Sequence, residues 1–599
     1  MKRRPQELRL AKRAMNRTGI TVLASLIVGL VSFCVYLPAL ENGFVNWDDV
    51  GYVLKNRVVH SLTLNSFIQT FTDTFLSNWH PLTVLSWSLD NVLWGLDPMG
   101  FHLTNIVLHS LNTILILWVS LRLLAYWPET LENENGQTLL SRKPSVSIIG
   151  ASVTALLFGL HPIQTESVVW ISERKNLLFA VFYLGSIIAY LNYVEATGRR
   201  WSHYVASILL FGLSLMSKAM AVSLPCVLLI LDAYPLRRIS RSNGTLRLLV
   251  EKLPYVVLAV AASVVALQAQ HGGGAMASSD ILPLSFRLAV ACKTIFFYIY
   301  QIIIPKDLFP FYPYPSPTAI NMFSFAGYVA LIIGLSLFAL FFRRRYPLLL
   351  ACWVFFLVTL TPILGVVQVG SQAAADRYAY ISSLGLFFPF VIVLMKIRNR
   401  LPGAFKHWAW ILPAALILTC AVRTIHQTAI WKDSLTLWNH QISRGPEGTP
   451  LPYVMRGNAY KETGSYDKAI QDYDTATRIH PQNIDAIFNR AHAYQVWGLY
   501  SKAIKDYTRA IELTPQDPEA YFNRGGCYLS LGRNEKAMQD FQQALVIQPG
   551  YAKAYFGLGS VSARRGELET ALKYYRRAAE LGMPEAREYL SRFAGEPPP

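Results

Sequence analysis

Residues 19–40 read G-I-T-V-L-A-S-L-I-V-G-L-V-S-F-C-V-Y-L-P-A-L, a run without any charged side chain. A helix needs about 20 apolar residues to cross the hydrocarbon core of a bilayer. The run is too long for the core of a secretory signal, and no small-residue cleavage site follows it, so we interpret it as a retained first span. Similar runs recur at 177–194, 323–342 and 346–363. The sequence therefore predicts a multi-spanning helical membrane protein.

The composition agrees with a membrane protein. Hydrophobic residues make up 53% of the chain and charged residues 15%, whereas soluble domains carry about 25% charged residues. The net charge of +18 is concentrated beside apolar segments, in residues 1–17, 235–252 and 343–345. That placement indicates membrane orientation and not nucleic-acid binding. The six cysteines show no paired spacing typical of a disulfide framework or a zinc site.

Eleven spans are predicted, near residues 19–40, 101–121, 146–160, 177–194, 202–217, 219–234, 253–268, 323–342, 346–363, 379–395 and 408–425. With the N-terminus in the cytoplasm, the basic connections then fall on the cytoplasmic side and the C-terminus lies outside. The apolar stretch Leu288–Ile304 is interrupted by Lys293. Counting it as a span would put Arg343–Arg345 outside, so we predict a juxtamembrane or re-entrant helix on the outer face.

After residue 440, small residues and prolines repeat with a fixed period. Pro481, Pro515 and Pro549 are 34 residues apart. Glycines and alanines follow the same period, at 464, 498, 532 and 566, and at 469, 503, 537 and 571. A period of 34 residues with proline closing each unit is typical of tetratricopeptide repeats. Four repeats are predicted, at 450–483, 484–517, 518–551 and 552–583.

The predicted domains follow from these patterns. They are a cytoplasmic N-terminus (1–18), a transmembrane domain (19–425) with outer-face loops at 41–100, 161–176, 269–322 and 364–378, an interfacial linker helix (426–449), the repeat domain (450–583) and a tail (584–599). The fold class is all-α, a polytopic helix bundle followed by an α-solenoid.

The first helices of the repeats carry aromatic and polar residues in equivalent positions. These are Asn458, Phe488, His492, Phe522 and Phe556. Repeats of this kind stack into a superhelix with a concave groove, and an aromatic, polar-rimmed groove suits an extended peptide. The alternative, of equal weight, is that the aromatic residues only fill the repeat pattern.

Ionisable residues gather at the ends of spans that the predicted topology places outside. They are Asp48, Asp49, His80, His102, His109, His161, Glu166, Glu173, Arg174, Lys175, Lys218, Asp376 and Arg377. Ionisable residues at membrane depth are costly and usually face a site or each other. The cations Arg174, Lys218 and Arg377 suit a phosphate group, and a carboxylate suits a proton from a hydroxyl. Together they predict sugar transfer from a lipid-linked phosphate donor.

Six short motifs carry a family resemblance. They are F-V-N-W-D-D (44–49), W-H-P-L-T (79–83), F-H-L-T-N-I-V-L-H (101–109), L-F-G-L-H-P-I-Q-T-E-S-V-V-W-I-S-E-R-K-N (157–176), L-M-S-K-A-M (215–220) and D-R-Y-A-Y-I (376–381). With the repeats, the chain resembles the transmembrane-and-TPR O-mannosyltransferases and their bacterial relatives, which have the GT-C glycosyltransferase fold. The resemblance covers nearly the whole chain.

The resemblance implies a polyprenyl-phosphate sugar as donor, with mannose or another hexose, and a protein hydroxyl as acceptor. An acid of the first outer loop is the catalytic base in such enzymes, which carries over to Asp48, with Asp49 orienting the acceptor or sharing the task. Arg174, Lys218 and Arg377 become donor-phosphate contacts. The remaining implied sugar contacts are His80, His102, His161, Glu166, Glu173 and Tyr380. The chain has W-D-D where related protein mannosyltransferases have D-E, which leaves open which acid reacts and which sugar is used.

Two other classes of function were considered. A membrane-anchored repeat scaffold for envelope proteins would need only one span. A transporter of lipid-linked sugar would need charges near the middle of the bilayer, whereas the charges here lie at the outer ends. We assign no metal ligands, although a divalent ion bridging Asp48 and the phosphate is compatible with the sequence. Short loops and the absence of paired cysteines indicate a bacterial inner membrane, with the repeats in the periplasm binding the acceptor protein.

Overall fold

The computed structural model describes residues 18–126, 131–132, 138–139, 144–196, 198–239, 244–272, 283–315, 322–365, 372–445 and 448–594. The N-terminal segment that we predicted to be cytoplasmic lies outside the described residues, apart from Thr18. The chain divides into two compact units, Met1–Leu437 and Trp438–Pro599. The division lies within the predicted linker at 426–449.

The first unit is built from helices. They are α1 (Thr18–Tyr36), α2 (Leu64–Thr72), α3 (Pro81–Trp94), α4 (Pro98–Ala125), α5 (Pro144–Leu160), α6 (Thr165–Val169), α7 (Arg174–Glu195), α8 (Arg200–Ser217), α9 (Leu224–Ala233), α10 (Gly244–Gly272), α11 (Leu284–Ile303), α12 (Met322–Phe341), α13 (Pro347–Leu360), α14 (Ala379–Ser382), α15 (Leu384–Arg400) and α16 (Ile411–Ile430). Helix α17 (Ser434–Arg444) follows and spans the division.

Short elements connect these helices. The 3-10 turns that bear on the site are Leu37–Glu41, Pro162–Gln164, Ile171–Glu173, Ala219–Ser223 and Asp376–Tyr378, and a π-helical turn covers Val50–Leu54. Strands β1 (Leu131–Glu132) and β2 (Thr138–Leu139) pair antiparallel, as do β3 (Tyr312–Pro313) and β4 (Gln372–Ala374).

Among the described residues, seven helices are long and apolar enough to cross a membrane, and up to nine spans result if each of two bent pairs counts as one. The bent pairs are Val146–Leu160 with Pro162–Val169 and Asp376–Ser382 with Leu384–Arg400, and two shorter apolar helices cover Ala219–Ala233 and Pro347–Ile363. Membrane-embedded helices satisfy their own backbone hydrogen bonds, which is why such segments fold as helices. The all-α membrane bundle predicted from the sequence is confirmed.

Helix α11 has the length and composition of a span, although we predicted a juxtamembrane or re-entrant helix there. It packs on the segment that carries β4. The hydroxyl of Tyr298 donates to the carbonyl of Ala375 (3.1 Å) and accepts the backbone N–H of Ala375 (3.2 Å). One turn later, the carbonyl of Ile302 bonds to the ring of His161 (3.0 Å). These bonds hold the C-terminal half of α11 beside the break in the α5–α6 pair.

A buried ion network lies near the C-terminal end of α7. The carboxylate of Asp232 contacts Lys252 (2.7 Å) and Arg238 (2.9 Å), and Glu251 contacts the same two cations. The hydroxyl of Tyr190 donates to Asp232 at 2.7 Å. Charges removed from water are tolerated when they are paired and hydrogen-bonded, so this network joins α7, α9 and α10 at the end remote from Glu173.

The second unit is a solenoid of paired helices. It comprises α18 (Leu451–Glu462), α19 (Tyr466–Ile479), α20 (Ile484–Val496), α21 (Tyr500–Leu513), α22 (Pro518–Ser530), α23 (Asn534–Ile547), α24 (Ala552–Arg564), α25 (Leu568–Glu580) and α26 (Pro584–Ala594). The glycines of the 34-residue period adopt positive φ between +72° and +82° at the turn inside each pair. Only glycine adopts that conformation without steric cost, which explains why the period keeps it.

Arginine–aspartate pairs recur in the first three repeats with the same period. Arg456 contacts Asp472 at 2.7 Å, Arg490 contacts Asp506 at 2.7 Å, and Arg524 contacts Asp540 at 2.8 Å. In each pair two guanidinium nitrogens reach both carboxylate oxygens. Such bidentate contacts fix the two helices of a repeat in one register.

Candidate active site

The loop after α1, which we call the first loop (residues 42–49), carries both acids, and Asp49 is its anchor. The Asp49 carboxylate accepts the backbone N–H of Val45 (3.0 Å), the backbone N–H of Ser172 (3.0 Å) and the hydroxyl of Ser172. The side chain is 1% exposed. Burial raises the pKa of Asp49 to about 6, and the hydrogen bond from Ser172 opposes that rise. Asp49 therefore ties the first loop to the turn that precedes α7.

Asp48 is the more open of the two acids. Its side chain is 32% exposed, and its Oδ2 lies 4.0 Å from Nζ of Lys175. Partial burial raises the pKa of the Asp48 carboxyl, while the charges of Lys175 and Arg377 oppose that rise. An accessible carboxylate with a raised pKa is a suitable proton acceptor. The geometry thus favours Asp48 over Asp49 as the base.

Glu173 is the centre of the charged cluster beside the acids. Its carboxylate lies 3.1 Å from Nζ of Lys175, 3.0 Å from Nζ of Lys218 and 3.4 Å from Nε of Arg377. We call these three residues the cation cluster. Glu173 itself is buried, at 1% exposed. Three cations thus share one carboxylate, with Asp48 at their edge, and ammonium and guanidinium groups are the side chains that suit a phosphate.

The local fold explains why these residues meet. Glu173 ends a 3-10 turn at the start of α7, and Lys218 follows the last residue of α8. Arg377 lies in the 3-10 turn before α14. All three therefore lie where helices begin or end. The Lys218 ammonium also donates to Oδ1 of Asn176 at 2.7 Å, and burial lowers the pKa of Lys218 to about 8 against the opposing charge of Glu173.

Glu166 contacts Arg377 of the cation cluster. Its carboxylate accepts the backbone N–H of Arg377 at 2.7 Å and forms a short ion pair with the guanidinium of the same residue. The side chain of Asn176 donates to the carbonyl of Arg377 at 2.8 Å. Both contacts fix Arg377 in place, so the structure gives Glu166 a positioning role where the family resemblance implied a sugar contact.

Arg174 does not join the cation cluster, although we predicted a phosphate contact there. Its side chain is fully buried and forms an ion pair with Asp90 at 2.5 Å. It also donates to Oδ1 of Asn105 (2.8 Å) and to the carbonyl of Phe101 (2.7 Å). A guanidinium with these partners has its donors occupied by protein, so Arg174 joins α7 to α3 and α4.

Replacing Arg174 with Gln is expected to destabilise the protein by about 3–5 kcal/mol, because it leaves the buried Asp90 carboxylate without its cation. The measurement is the thermal unfolding midpoint of the full chain in lipid nanodiscs. The double variant Arg174→Met with Asp90→Leu should recover part of the loss, since no charge is then left unpaired. An Arg174→Gln protein with an unchanged midpoint but a raised KM for the donor would restore the phosphate assignment.

The predicted histidines lie in different surroundings, and His80 is the one beside the cation cluster. His80 is buried against the rings of Tyr52 and Trp87, with centroid distances of 5.0 and 5.9 Å, and its Nε2 has no hydrogen-bond partner among the described residues. Burial, assisted by the charge of Lys175, lowers the pKa of His80 to about 3. A neutral, unpartnered ring nitrogen beside the cluster fits a sugar hydroxyl. His80 therefore remains a predicted sugar contact.

His161 and Tyr380 are hydrogen-bonded within the core. Nε2 of His161 bonds to the carbonyl of Ile302 (3.0 Å), and its Nδ1 accepts the N–H of Ile163 (3.3 Å). The hydroxyl of Tyr380 bonds to Nδ1 of His109 at 2.7 Å. His102 is buried within α4, and its two ring nitrogens have no hydrogen-bond partner among the described residues, so it stays a predicted sugar contact like His80.

Lys175 is a member of the site to which the sequence analysis assigned no role. Its ammonium lies over the rings of Tyr52 and Trp170, 4.9 and 5.9 Å from their centroids, besides contacting Asp48 and Glu173. Position 175 directly follows Arg174 in the same charged run, and neighbouring residues on a helix point about 100° apart. Either cation was compatible with the motif, and only the coordinates separate them.

No cluster of three or more His, Cys, Asp or Glu side chains suitable for a metal ion occurs in the described part of the chain. The divalent ion bridging Asp48 and the phosphate stays a prediction.

The predicted groove residues of the solenoid pack mainly within it. Phe488 contacts Tyr507 and Phe522 contacts Phe541, each on the second helix of the same repeat, with centroid distances of 5.5 and 5.6 Å. Two other predicted groove residues also have partners in the solenoid, since Phe556 packs on Tyr575 and Asn458 accepts from Tyr473. Nδ1 of His492 is buried and has no hydrogen-bond partner among the described residues, and burial lowers the pKa of this histidine. These contacts support the alternative that the aromatic residues fill the repeat pattern. Phe488, Phe522 and Phe556 remain partly exposed.

Two family models match the solenoid. A model described as TPR repeat matches residues 457–496, and one described as tetratricopeptide repeat matches 488–552 and 548–586. Among solved structures, a crystal structure of MamA is 22% identical over 26% of this chain and 90% of that chain, with a TM-score of 0.24. The first TPR domain of human RPAP3 is 29% identical over 20% of this chain and 95% of that chain, with a TM-score of 0.19. The two family models confirm the predicted repeats.

The curated relatives extend the comparison beyond the repeats. Protein O-mannosyl-transferase TMTC3 of Mus musculus is 24% identical over 78% of this chain and 52% of its own length, and the Homo sapiens protein gives the same figures. Protein O-mannosyl-transferase Tmtc1 of Drosophila melanogaster is 32% identical over 32% of this chain and 21% of its own length. The chain spans about half the length of the first two relatives.

The fold and the comparisons together define a polytopic membrane protein with a tetratricopeptide solenoid. Its homologues are the TMTC protein O-mannosyltransferases, so the resemblance inferred from the six motifs is confirmed. The homology supports a membrane glycosyltransferase.

Proposed function

We propose that the chain transfers a sugar from a polyprenyl-phosphate donor to a hydroxyl group of a protein. The observation that carries the proposal is the position of Asp48 at the edge of the cation cluster, 4.0 Å from Lys175. Such a site pairs a proton acceptor with a binding place for a leaving phosphate. The names of the homologues favour mannose as the sugar.

The reaction needs only a proton acceptor and a binding place for the leaving phosphate. The oxygen of the acceptor hydroxyl attacks the anomeric carbon, and its proton passes to the Asp48 carboxylate. The bond between the anomeric carbon and the phosphate oxygen breaks, and the electron pair stays on the phosphate. Lys175, Lys218 and Arg377 offset the resulting charge, so no separate acid is required. Attack from the face opposite the phosphate inverts the anomeric centre.

The acceptor protein needs a binding surface, and the solenoid is the candidate for it. Tetratricopeptide repeats indicate protein–protein interaction, and a solenoid presents an extended concave surface. We assign it the capture of the acceptor protein. We assign the acids and the solenoid to the outer side of the membrane, in a bacterium the periplasm. The assignment follows the positive-inside rule and treats α11 as a helix that does not cross the membrane.

The proposal is tested with purified protein in nanodiscs, polyprenyl-phosphate hexose labelled in the sugar, and a library of Ser/Thr-containing peptides. Label should appear on peptide hydroxyls with the wild type and with Lys306→Gln, a matched surface variant whose ion pair with Asp307 is exposed. Folded protein that transfers no label from any polyprenyl-phosphate hexose would refute the proposal.

The pH profile of kcat/KM for the donor should be bell-shaped. Asp48 must be ionised to accept a proton, and its pKa is raised, so activity falls as the pH drops through that raised value. Lys218 must be charged to contact phosphate, so activity also falls as the pH rises through about 8. Because a guanidinium stays protonated above pH 12, Lys218→Arg should remove the alkaline limb. An alkaline limb that stays near 8 in Lys218→Arg would disprove the assignment of Lys218.

A further inference from the structure

The segment of residues 428–434 runs from the end of α16 to the first residue of α17. It is hydrogen-bonded to the first loop at three places. The side-chain amide of Asn42 donates to the carbonyl of Thr428 at 3.1 Å. The N–H of Gly43 donates to the carbonyl of Lys432 at 2.9 Å. The N–H of Asn46 donates to the hydroxyl of Ser434 at 2.8 Å. Three successive bonds therefore attach the loop over the residues just before Asp48.

A tryptophan stack reinforces these bonds. Trp431 is 3% exposed and stacks on Trp170, with ring centroids 5.6 Å apart and planes at 28°. Trp170 stacks in turn on Trp47, at 4.9 Å and 26°. Each aromatic pair contributes about 0.5–1.5 kcal/mol beyond its buried area. Trp47 directly precedes Asp48, so the stack reaches the catalytic residue through one peptide bond.

The segment is itself fixed to the bundle. In α16, the buried hydroxyl of Thr424 donates to the carbonyl of Leu160 at 2.8 Å, and the side-chain amide of Gln427 donates to the carbonyl of Leu308 at 3.1 Å. At the other end, Asp433 caps α17 by accepting the N–H of Thr436 at 2.8 Å. Ser434 therefore stands on the ordered first turn of a helix and presents its hydroxyl from a fixed place.

We propose that Trp431 and Ser434 are positioning residues for Asp48, which makes the segment that leads into the solenoid part of the catalytic apparatus. The inference rests on the proposed function of the site. Ser434 acts through the first loop, to which its hydroxyl is hydrogen-bonded. Trp431 acts through Trp170, which stacks on Trp47 and also lies beneath the charged groups of Lys175 and Arg377. A misplacement of about 1 Å can cost about 10²-fold in rate, and loosening the loop that carries the base has that consequence.

The test compares Ser434→Ala and Trp431→Ala with the conservative variants Ser434→Thr and Trp431→Phe. Ser443→Ala is the matched control, because Ser443 is exposed on the same helix and its hydroxyl donates only to the nearby carbonyl of His440. Expected is a fall in kcat of about 10–100-fold for the two alanine variants, with the KM for the donor changed less than twofold in Ser434→Ala, whose contact with the first loop does not involve Trp170. The conservative variants should stay within about threefold of the wild type, and the control unchanged.

Hydrogen exchange of the amides of residues 43–46 gives a readout that does not depend on activity. These amides should exchange faster in Ser434→Ala than in Ser443→Ala, while the amides of α7 are unaffected. Unchanged exchange and unchanged kcat in both alanine variants would overturn the inference, as would a rise in KM with constant kcat. A wild-type protein that transfers no sugar overturns the proposed function instead, and the exchange data then report the attachment of the loop alone.

Discussion

Replacing Asp48 with Asn lowers the rate of sugar transfer by about 10²–10⁴-fold, the usual contribution of a positioned base, while the protein keeps its thermal stability. The side chain is 32% exposed, and its ion pair with Lys175 is long, at 4.0 Å. Ion pairs of this kind contribute about 0–1 kcal/mol, so the fold does not depend on the carboxylate. The amide has a similar shape but cannot accept the proton.

Asp49→Asn is the informative comparison. Its carboxylate accepts two backbone N–H groups and a hydroxyl, and an amide offers fewer acceptor sites there. We expect Asp49→Asn to lower the unfolding midpoint as well as the rate. Transfer rates are measured with labelled donor, and midpoints by thermal scanning of the same preparations. An Asp48→Asn protein with wild-type transfer would remove this residue from the catalytic role.

Replacing Glu173 with Gln destabilises the protein by about 3–5 kcal/mol in the absence of donor, because three cations then lose their shared buried carboxylate. The contacts removed are those with Lys175, Lys218 and Arg377, at 3.0–3.4 Å. An added lipid phosphate should restore part of the stability, since it brings a negative charge to the same cations, and ligand binding to the folded state raises the midpoint.

The matched control is Glu519→Gln, which removes an exposed pair with Lys553 at 3.8 Å and should leave the midpoint unchanged. The midpoint is measured with and without polyprenyl phosphate. If lipid phosphate stabilises Glu173→Gln no more than it stabilises the wild type, the cation cluster is not its binding place.

The repeats and the gathering of charges at one end of the spans could be predicted from the sequence. The 34-residue period follows from the turn glycines, whose positive φ excludes other residues, and from alanines at the helix contacts. The charges of Glu173, Lys218 and Arg377 were traced to the ends of spans, and such positions in a bundle converge when the spans alternate in direction.

The detailed geometry of the candidate site could not be predicted from the sequence. Which of Arg174 and Lys175 faces the site depends on the rotation of α7, and that rotation is set by the burial of Arg174 against Asp90. The anchoring of Asp49 by Ser172 links positions 123 residues apart in the chain. The attachment of the first loop to Trp431 and Ser434 joins still more distant segments, and no local pattern encodes such contacts.

The most direct test of the account is a structure of the full chain with a non-hydrolysable polyprenyl-phosphate sugar analogue. The account predicts phosphate oxygens within hydrogen-bonding distance of Lys175, Lys218 and Arg377, with the anomeric carbon facing the Asp48 carboxylate. A phosphate bound elsewhere, with the cation cluster still closed around Glu173 and the sugar out of reach of Asp48, would contradict it.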